Sequence, residues 1–418
     1  VKDRFGMFIH WGLYSQAARH EWVKNRERIT TEDYQKYFDT FHPDLYDPKQ
    51  WARLARAAGM KYFVITTKHH EGFCLWDSEY TDYKAPNTSI GKDLLREMVD
   101  AFRAEGIKVG FYYSLIDWHH PEFPVDKYHP QRDDQAFREA TQDRDVSLYA
   151  EYMRNQVREL LTDFGKIDLL WFDFSYPGED GKGKDDWESE KLIAMIRELQ
   201  PHIMVDNRLD LEGCGDFITP EQFQPKEGVK NPDGTPAVWE ACQTLSGSWG
   251  YHRDEMTWKS VEQVLGMLID GVSKGGNMLM NVGPTGRGEI DYRATACLEG
   301  VGEWMAYNGR SIYGCSVAPE GMDAPVDCRY TYNAETHRLY LHVFAWPFKK
   351  IHLPGMAGKV KYAQFLHDAS EVRFRVEKPS EHSGLSEKTA DEDLALIVPV
   401  VKPNIEIPTI ELFLSEPV

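Results

Sequence analysis

One recurring pattern organises most of this sequence: an amphipathic stretch, a glycine or proline, and then a short apolar run. In the clearest case, residues 48–58 have helical spacing of their apolar side chains, Gly59 follows, and 62–66 is apolar. Each amphipathic stretch is predicted to be a helix and each apolar run a strand. The predicted strands are 5–9, 62–66, 109–113, 167–172, 202–205 and 278–282. Apolar strands that alternate with helices are typical of a parallel sheet buried on both faces.

The length of this pattern favours a (β/α)8-type, TIM-like barrel over a doubly wound sheet, because no G-x-G-x-x-G follows the first strand. The stretch 209–250 is rich in Gly and Pro without a helical pattern, so we expect the barrel to be irregular around strands 5 and 6. Further along, apolar and polar residues alternate, which indicates an antiparallel β-sandwich. We therefore predict two domains, a catalytic barrel at 1–318 and a C-terminal β-sandwich at 319–418.

Composition excludes several classes of protein. There are 48 Lys plus Arg against 67 Asp plus Glu, a net charge of -19. This disfavours a nucleic-acid partner, because phosphate binding needs a basic surface. No apolar run approaches the ~20 residues of a membrane-spanning helix, so no membrane partner is expected. Six widely spaced cysteines without C-x-x-C argue against a zinc ribbon or a dense disulfide scaffold.

Candidate functional residues stand where the predicted barrel strands end, since barrels of this type carry their sites at that face. Imidazole, carboxylate and guanidinium groups bind sugar hydroxyls, and aromatic rings pack on the C–H faces of sugars. Cleavage of a glycosidic bond needs two carboxylates. The side chains at these strand ends and in the loop 213–225 include His10, His69, His70, Tyr112, Asp173, Arg208 and Glu221. This set favours a carbohydrate site.

Seven ordered motifs resemble the α-L-fucosidases of glycoside hydrolase family 29. They are RFGMFIHWG at 4–12, EW at 21–22, KHHEGFCLW at 68–76, YYS at 112–114, WFD at 171–173, SWGY at 248–251 and GGNMLMNVGP at 275–284. They span three quarters of the chain, and the last 100 residues match only in type. The resemblance implies an exo-acting retaining enzyme that releases terminal α-L-fucose from an oligosaccharide or glycoconjugate through a covalent fucosyl–enzyme, without cofactor or metal. It also favours a secreted or periplasmic location over the cytoplasm, although no signal peptide is visible.

The resemblance also implies roles for single residues. Asp173, which ends the fourth predicted strand, corresponds to the nucleophile, and Asp168 at the other end of that strand is a poorer candidate. Glu221 in GDFITPEQF best matches the general acid/base, with Glu240 in VWEAC as the alternative. The substrate-binding positions correspond to His10, Glu21, Trp22, His69, His70, Tyr112, Arg208 and Trp249. Tyr113 is the alternative to Tyr112, since adjacent strand residues point to opposite faces and only one of the two can line the site.

Two other functions remain as alternatives. A non-catalytic fucose- or glycan-binding protein on the same fold would keep the aromatic and histidine residues, but the presence of both Asp173 and Glu221 speaks against it. A metal-dependent barrel hydrolase could use the same histidines and Asp206. It is disfavoured because neither H-x-H nor H-E-x-x-H occurs, and because successive strand residues such as His69 and His70 point to opposite faces. Assembly into a homo-oligomer is compatible with the sequence.

Overall fold

The computed structural model of the protein describes residues 1–376 and 392–416. Its first part contains seven parallel strands that curl into a TIM-like barrel. These strands are β1 (Phe5–Ile9), β2 (Tyr62–Lys68), β3 (Lys108–Ser114), β4 (Leu169–Asp173), β5 (Met204–Val205), β6 (Glu240–Thr244) and β7 (Asn277–Val282). Their hydrogen-bonded order is β5-β4-β3-β2-β1-β7-β6, with every pair parallel. The predicted barrel class is confirmed.

Helices occupy most of the connections between the strands. They are α1 (Tyr14–Ala17), α2 (Val23–Arg26), α3 (Thr31–Asp39), α4 (Pro48–Ala57), α5 (Leu94–Ala104), α6 (Gln135–Ala140), α7 (Val146–Asp163), α8 (Ser189–Leu199), α9 (Val261–Ser273) and α10 (Tyr292–Asn308). Local sequence explains several of their boundaries. The side chain of Asp47 caps α4, Ser260 and Gln263 form a capping box on α9, and Gly275 follows α9 in the left-handed conformation.

The irregular part of the barrel lies between β5 and β6. There, segment 216–222 runs parallel to both strands but forms isolated bridges instead of a continuous ladder. The bridged pairs are Asp206 with Phe217, Ile218 with Trp239, and Glu221 with Cys242. The segment fills the space between the two end strands of the sheet. The irregularity expected around strands 5 and 6 therefore takes the form of a barrel position without a regular strand.

Predicted and observed elements differ by a few residues at their ends, with one larger difference. The apolar run 202–205 was expected to be a strand, but only Met204–Val205 pairs with β4. Residues 201 and 202 form a turn after α8, where Gln200 and Ile203 are joined by a backbone hydrogen bond. The strand is short because this turn occupies its first half.

The C-terminal part is a β-sandwich, as expected. Its strands are β8 (Cys328–Asn333), β9 (Arg338–Val343), β10 (Lys350–Leu353), β11 (Val360–Phe365), β12 (Phe374–Val376), β13 (Leu394–Ile397) and β14 (Thr409–Leu414). They form two antiparallel sheets with the orders β11-β14-β9-β8 and β10-β13-β12. The alternating pattern at 405–413 predicts a longer last strand than is observed. The strand begins only after Pro408, which has no N–H to donate to a neighbouring strand.

All six cysteines are buried and unpaired: Cys74, Cys214, Cys242, Cys297, Cys315 and Cys328. In the part of the chain that the structure describes, no helix has both the length and the apolar character needed to cross a bilayer.

Candidate active site

A cavity opens at the carboxyl ends of the barrel strands, and we call it the mouth cavity. Ten of the predicted site residues line it: His10, Glu21, Trp22, His69, His70, Tyr112, Asp173, Arg208, Glu221 and Trp249. They come from seven of the barrel positions and from the loop before α2, so residues far apart in sequence meet here. Alternation along the strands explains this placement. On β1 and β4, for example, residues two apart face the same interior.

Arg208 joins the two carboxylates of this cavity. Its Nη1 donates to Asp173 Oδ1 at 2.7 Å, and its Nη2 donates to Glu221 Oε2 at 2.7 Å. The guanidinium also lies over the ring of Trp171, 4.3 Å from the ring centre. Burial alone would lower the pKa of Arg208, but Asp173 and Glu221 outweigh it and raise the pKa. A permanently charged group thus holds Asp173 and Glu221 side by side.

The two carboxylates differ in their access to solvent. The side chain of Asp173 is 14% exposed, whereas that of Glu221 is 41% exposed. Asp173 also accepts a hydrogen bond from the hydroxyl of Tyr112 at its second oxygen, over 2.8 Å. Asp173 is therefore held by two donors inside the barrel, while Glu221 stands at the opening.

Only one of the two adjacent tyrosines on β3 reaches the cavity. Tyr112 points inward to Asp173, and Tyr113 points outward, where its hydroxyl donates to Gln156 Oε1 at 2.7 Å. This is the alternation expected of neighbouring strand residues.

Hydrogen bonding fixes the tautomer of His10. The amide nitrogen of Asn281 donates to the carbonyl of Trp249 at 2.7 Å, so the amide oxygen of Asn281 faces His10 Nδ1 at 2.6 Å as an acceptor. His10 Nδ1 must then carry the proton. Its Nε2 is left with a lone pair, which is a hydrogen-bond acceptor.

Hydrogen bonding also fixes the tautomer of His70. Ser114 Oγ donates to the carbonyl of Ile116 at 2.7 Å and lies 2.6 Å from His70 Nδ1, so this ring nitrogen donates to the hydroxyl. The other nitrogen, Nε2, is buried, has no protein partner among the described residues, and lies 3.9 Å from Asp173 Oδ2. A buried acceptor without a partner is costly unless a ligand supplies a donor.

All three cavity histidines are neutral over the usual pH range. Burial lowers the pKa of His10 to about 3, against a smaller opposing effect of its bond to Asn281. Burial, followed by the charge of Lys68, lowers the pKa of His70 to about 3. For His69, burial and its two histidine neighbours move the pKa well below the ordinary value. These imidazoles can therefore exchange hydrogen bonds with a neutral ligand without changing charge.

Glu21, Trp22 and Trp249 complete the wall. Glu21 is buried, accepts from the N–H of Gly250 at 2.8 Å, and has its pKa raised by burial. Trp22 is only half-buried and packs edge-to-face against His70, with ring centres 4.9 Å apart. Trp249 lies 5.1 Å from the ring of His10. Aromatic surface and buried polar groups thus alternate around the cavity.

Glu240, the alternative acid/base, does not line the mouth cavity. It is the first residue of β6, so it lies at the opposite end of the barrel, where the hydroxyl of Tyr62 donates to it. Burial raises its pKa to about 7. This placement is that of a structural carboxyl group in the barrel interior.

Four residues of the cavity wall were not identified from the sequence: Phe8, Trp171, Phe174 and Cys242. Phe8 and Trp171 could have been found from the sequence. Each stands two residues before a predicted site residue, and residues two apart along a strand face the same side. Phe174 does not, because its position depends on a backbone φ of +76° directly after Asp173. Cys242 faces Glu221 across a bridge to the irregular segment, which sequence periodicity cannot reveal.

Within residues 1–376 and 392–416, no three His, Cys, Asp or Glu side chains are grouped so that they could hold a metal ion.

Comparison with known proteins places this chain among fucosidases. A family model described as alpha-L-fucosidase matches residues 1–310. The human plasma alpha-L-fucosidase is 30% identical over 369 residues, which cover 82% of this chain and 75% of that protein. The mouse tissue alpha-L-fucosidase is 31% identical over 339 residues, with coverages of 74% and 70%.

Solved structures agree with these sequence relatives. Alpha-L-fucosidase isoenzyme 1 from Paenibacillus thiaminolyticus is 48% identical and has a TM-score of 0.92. The match covers 99% of this chain and 97% of that one. A GH29 alpha-L-fucosidase from Bacteroides thetaiotaomicron is 30% identical, with a TM-score of 0.84 and coverages of 99% of this chain and 95% of that one. That structure is of a trapped covalent intermediate with 2-fluoro-fucosyl fluoride.

Proposed function

Because this chain belongs to the α-L-fucosidase family, glycoside hydrolase family 29, and is a retaining exo-α-L-fucosidase, we propose that Asp173 is its nucleophile and Glu221 its general acid/base. The observation that carries this proposal is the guanidinium of Arg208, which binds both carboxylates. Carboxyl groups of a retaining pair stand only ~5–5.5 Å apart. One guanidinium shared by two carboxylates supports such a short separation.

In the first step, a carboxylate oxygen of Asp173 forms a bond to C1 of fucose while the bond from C1 to the glycosidic oxygen breaks. Glu221 gives its proton to that oxygen, and the leaving group departs as an alcohol. Tyr112 and Arg208 orient the carboxylate of Asp173. Its low exposure keeps competing water away from the attacking oxygen.

In the second step, Glu221 takes a proton from water as the water oxygen bonds to C1. The bond between C1 and Asp173 breaks at the same time, which releases fucose and restores both carboxyl groups. The 41% exposure of Glu221 supports this role, because the same group must meet both the leaving group and the incoming water.

Fucose recognition follows from the hydrogen-bond inventory. We propose that His10 Nε2 and His70 Nε2 accept hydrogen bonds from two fucose hydroxyls, which supplies the missing partner of His70. His69 and Glu21 are further polar contacts. Trp22 and Trp249 pack against the apolar C–H face of the sugar.

Labelling of the intermediate tests the nucleophile. A 2-fluoro-fucosyl fluoride slows the second step, so the enzyme should gain the mass of one fluorofucosyl group, and peptide mapping should place it on Asp173. In Asp173→Ala, we expect kcat for 4-nitrophenyl α-L-fucoside to fall by roughly 10⁴-fold, the scale seen when a member of a catalytic unit is removed. A label on any other carboxyl group, or near-normal activity in this variant, would contradict the assignment.

The substrate is a fucosylated glycan. Within that class, we propose oligosaccharides or glycoconjugates with terminal fucose. We also propose a secreted or periplasmic location, which the name of the human plasma relative supports.

We also propose a domain boundary at residues 318 and 319. The buried clusters support it, since Cys315 belongs to the barrel core and Met322 to the sandwich core. Homo-oligomer formation stays a prediction that light scattering in solution can test.

A further inference from the structure

One buried carboxyl group next to the mouth cavity takes no part in the fucose contacts or in the two chemical steps. Asp206 directly follows β5, is 0% exposed and does not line the mouth cavity. The charges of Arg208 and Asp173 both act on it, so it stands beside the two groups that form the proposed nucleophile and its partner. Burial of a carboxyl group at this depth is costly unless specific contacts offset the cost.

The side chain of Asp206 takes the place of a missing strand residue beside the nucleophile. β5 ends at Val205, which is paired with Leu170 on β4, and the N–H of Asp206 donates to the carbonyl of Leu170 at 3.2 Å. Two residues further along β4, the N–H of Phe172 donates to Asp206 Oδ1 at 3.1 Å, where a longer parallel strand would offer a backbone carbonyl. The carboxyl group therefore fixes the backbone directly before Asp173.

The same carboxyl group also acts on the backbone of Arg208. The N–H of Arg208 forms a backbone hydrogen bond that, like that of Phe172, stabilises the charged form of Asp206. The guanidinium of Arg208 in turn binds Asp173 and Glu221. One buried side chain thus joins the backbone before the nucleophile to the backbone of the residue that holds both carboxylates.

The backbone of Asp206 is itself held on its other side by the irregular segment between β5 and β6. Asp206 is bridged to Phe217, and the N–H of Asp216 donates to the carbonyl of Val205 at 2.7 Å. Gly215 lies so close that a Cβ at this position would come within 2.8 Å of the carbonyl oxygen of Asp206. A side chain fixed in this way can hold its partners to the tolerance that a reacting group needs.

Asp206 needs no charge to hold these N–H groups. Burial raises its pKa well above the ordinary value, although the charge of Arg208 and the N–H of Phe172 oppose this effect. Its Oδ2 is buried and has no hydrogen-bond partner among the described residues, which also disfavours the carboxylate. The neutral acid still accepts from Phe172, and it leaves the charge of Arg208 to Asp173 and Glu221.

We propose that Asp206 is a positioning residue for the nucleophile. Through the N–H groups of Phe172 and Arg208, it sets the place of the attacking carboxylate relative to the guanidinium that binds it. The inference rests on the proposed function, because it takes Asp173 to be the nucleophile. It assigns to Asp206 an effect on the rate of attack and none on fucose binding, since Asp206 does not line the cavity that holds the sugar.

The kinetics of labelling by 2-fluoro-fucosyl fluoride separate positioning from folding. The labelled fraction counts the folded sites, the maximal rate measures attack by Asp173, and the half-saturating concentration measures binding. In Asp206→Ala, which removes the acceptor of Phe172, the maximal rate should fall by about 10- to 100-fold, the effect of a misplaced reacting group, while the half-saturating concentration changes by less than about threefold. If only the labelled fraction falls and the remaining sites react at the wild-type rate, the proposal is wrong.

A conservative variant separates a fixed acceptor from a charge. In Asp206→Asn, the amide oxygen still accepts from the N–H of Phe172, so the maximal rate of labelling should stay within about threefold of the wild-type rate. A loss as large as that in Asp206→Ala would show that the site needs the charge of Asp206, and it would overturn the proposed role.

Asp168→Ala is the matched control. Asp168 directly precedes β4 and accepts from the N–H of Val109 at 3.1 Å, so it braces the same strand at the end far from Asp173. Its loss should leave the maximal rate of labelling at the wild-type value. Equal losses in Asp168→Ala and Asp206→Ala would indicate a general weakening of β4 and contradict the proposal. The proposed function fails separately if the label in the wild type is found on a residue other than Asp173.

Discussion

At the residue scale, the proposed acid/base is separated from its alternative by environment. Glu221 is half-exposed and bound to Arg208, whereas Glu240 is buried and bound to Tyr62 at the far end of the barrel. A general acid matters most when the leaving group is a poor one, and it contributes ~10²–10⁴-fold. In Glu221→Gln, we therefore expect a loss within this range on fucosyl disaccharides and a much smaller loss on 4-nitrophenyl α-L-fucoside.

The matched variant Glu240→Gln keeps the hydrogen bond to Tyr62 and should leave the ratio of the two rates as it is in the wild type. Steady-state kinetics on both substrates measures this ratio. If Glu240→Gln gives the leaving-group dependence and Glu221→Gln does not, the two assignments must be exchanged.

Most residues around the mouth cavity could be predicted, because the ends of buried parallel strands meet at one face. His10 and Asp173 each directly follow a continuous apolar run, and His70 stands a few residues after another, which marks them in the sequence. Phe174 could not be predicted, since its left-handed backbone places a bulky side chain where sequence patterns favour glycine. The orientation of Glu221 was equally hidden, because it depends on the contact with Arg208.

At the scale of elements, a buried ion pair joins the ends of two barrel strands. Lys68, the last residue of β2, donates to Asp117 in the loop after β3 at 2.9 Å, and their side chains are 0% and 2% exposed. Asp117 also accepts from the N–H groups of His119 and His120. Since His69 and His70 follow Lys68 directly, this pair fixes the backbone that presents both histidines.

Removal of one partner of the pair Lys68–Asp117 should destabilise the fold much more than removal of both. Asp117→Leu leaves a buried cation alone and should lower the free energy of unfolding by about 3–5 kcal/mol. The double variant Lys68→Met, Asp117→Leu should recover a large part of this loss. The exposed pair of Arg287 and Asp44 is the control, and Asp44→Asn should cost less than about 1 kcal/mol. Urea unfolding measures all four proteins, and equal losses in the single and double variants would contradict the explanation.

The elements of the barrel were predicted better than those of the sandwich. Helices and buried strands have long, distinct periodicities, and glycines mark where the helices end. The sandwich strands are short, and β10, β11 and β13 pair with partners distant in sequence. Their existence depends on those partners, so local alternation identified only some of the seven.

At the scale of the whole molecule, buried histidines make stability depend on pH. Burial lowers the pKa of His10, His70 and His342 to about 3. In the unfolded chain these groups bind protons below pH 6.5, so stability is full above that pH and is lost as the pH falls towards 3. Glu71 and Glu240 act in the opposite sense, since burial raises the pKa of each to about 7 and favours the fold at lower pH.

His342 isolates this effect from catalysis, because it lies in the sandwich between the hydroxyls of Thr331 and Thr409. It should make the protein about 2 kcal/mol less stable at pH 5 than at pH 7. In His342→Gln, the difference in unfolding free energy between these two pH values should shrink by that amount. Urea unfolding of both proteins at pH 5 and pH 7 measures it, and an unchanged difference would show that His342 does not titrate on unfolding.

The net charge of -19 agrees with the neutral substrate. Fucose carries no charge, so its binding depends on local hydrogen bonds and ring contacts and not on long-range attraction. The two carboxylates Asp173 and Glu221 are both paired with Arg208, so they do not attract a distant ligand by their charge.

The two proposed catalytic carboxyl groups lie on very different backbone elements. Asp173 ends a strand with paired neighbours, whereas Glu221 lies on segment 216–222, whose backbone joins the barrel through isolated bridges and whose side chains are held by Arg197 and Arg208. Insertions or deletions in that segment disturb no continuous ladder, so evolution can vary its length at low cost to the barrel. For engineering, a graft of residues 209–237 from a relative would replace the proposed acid/base and its surroundings, while Asp173 and its partner Arg208 stay where they are.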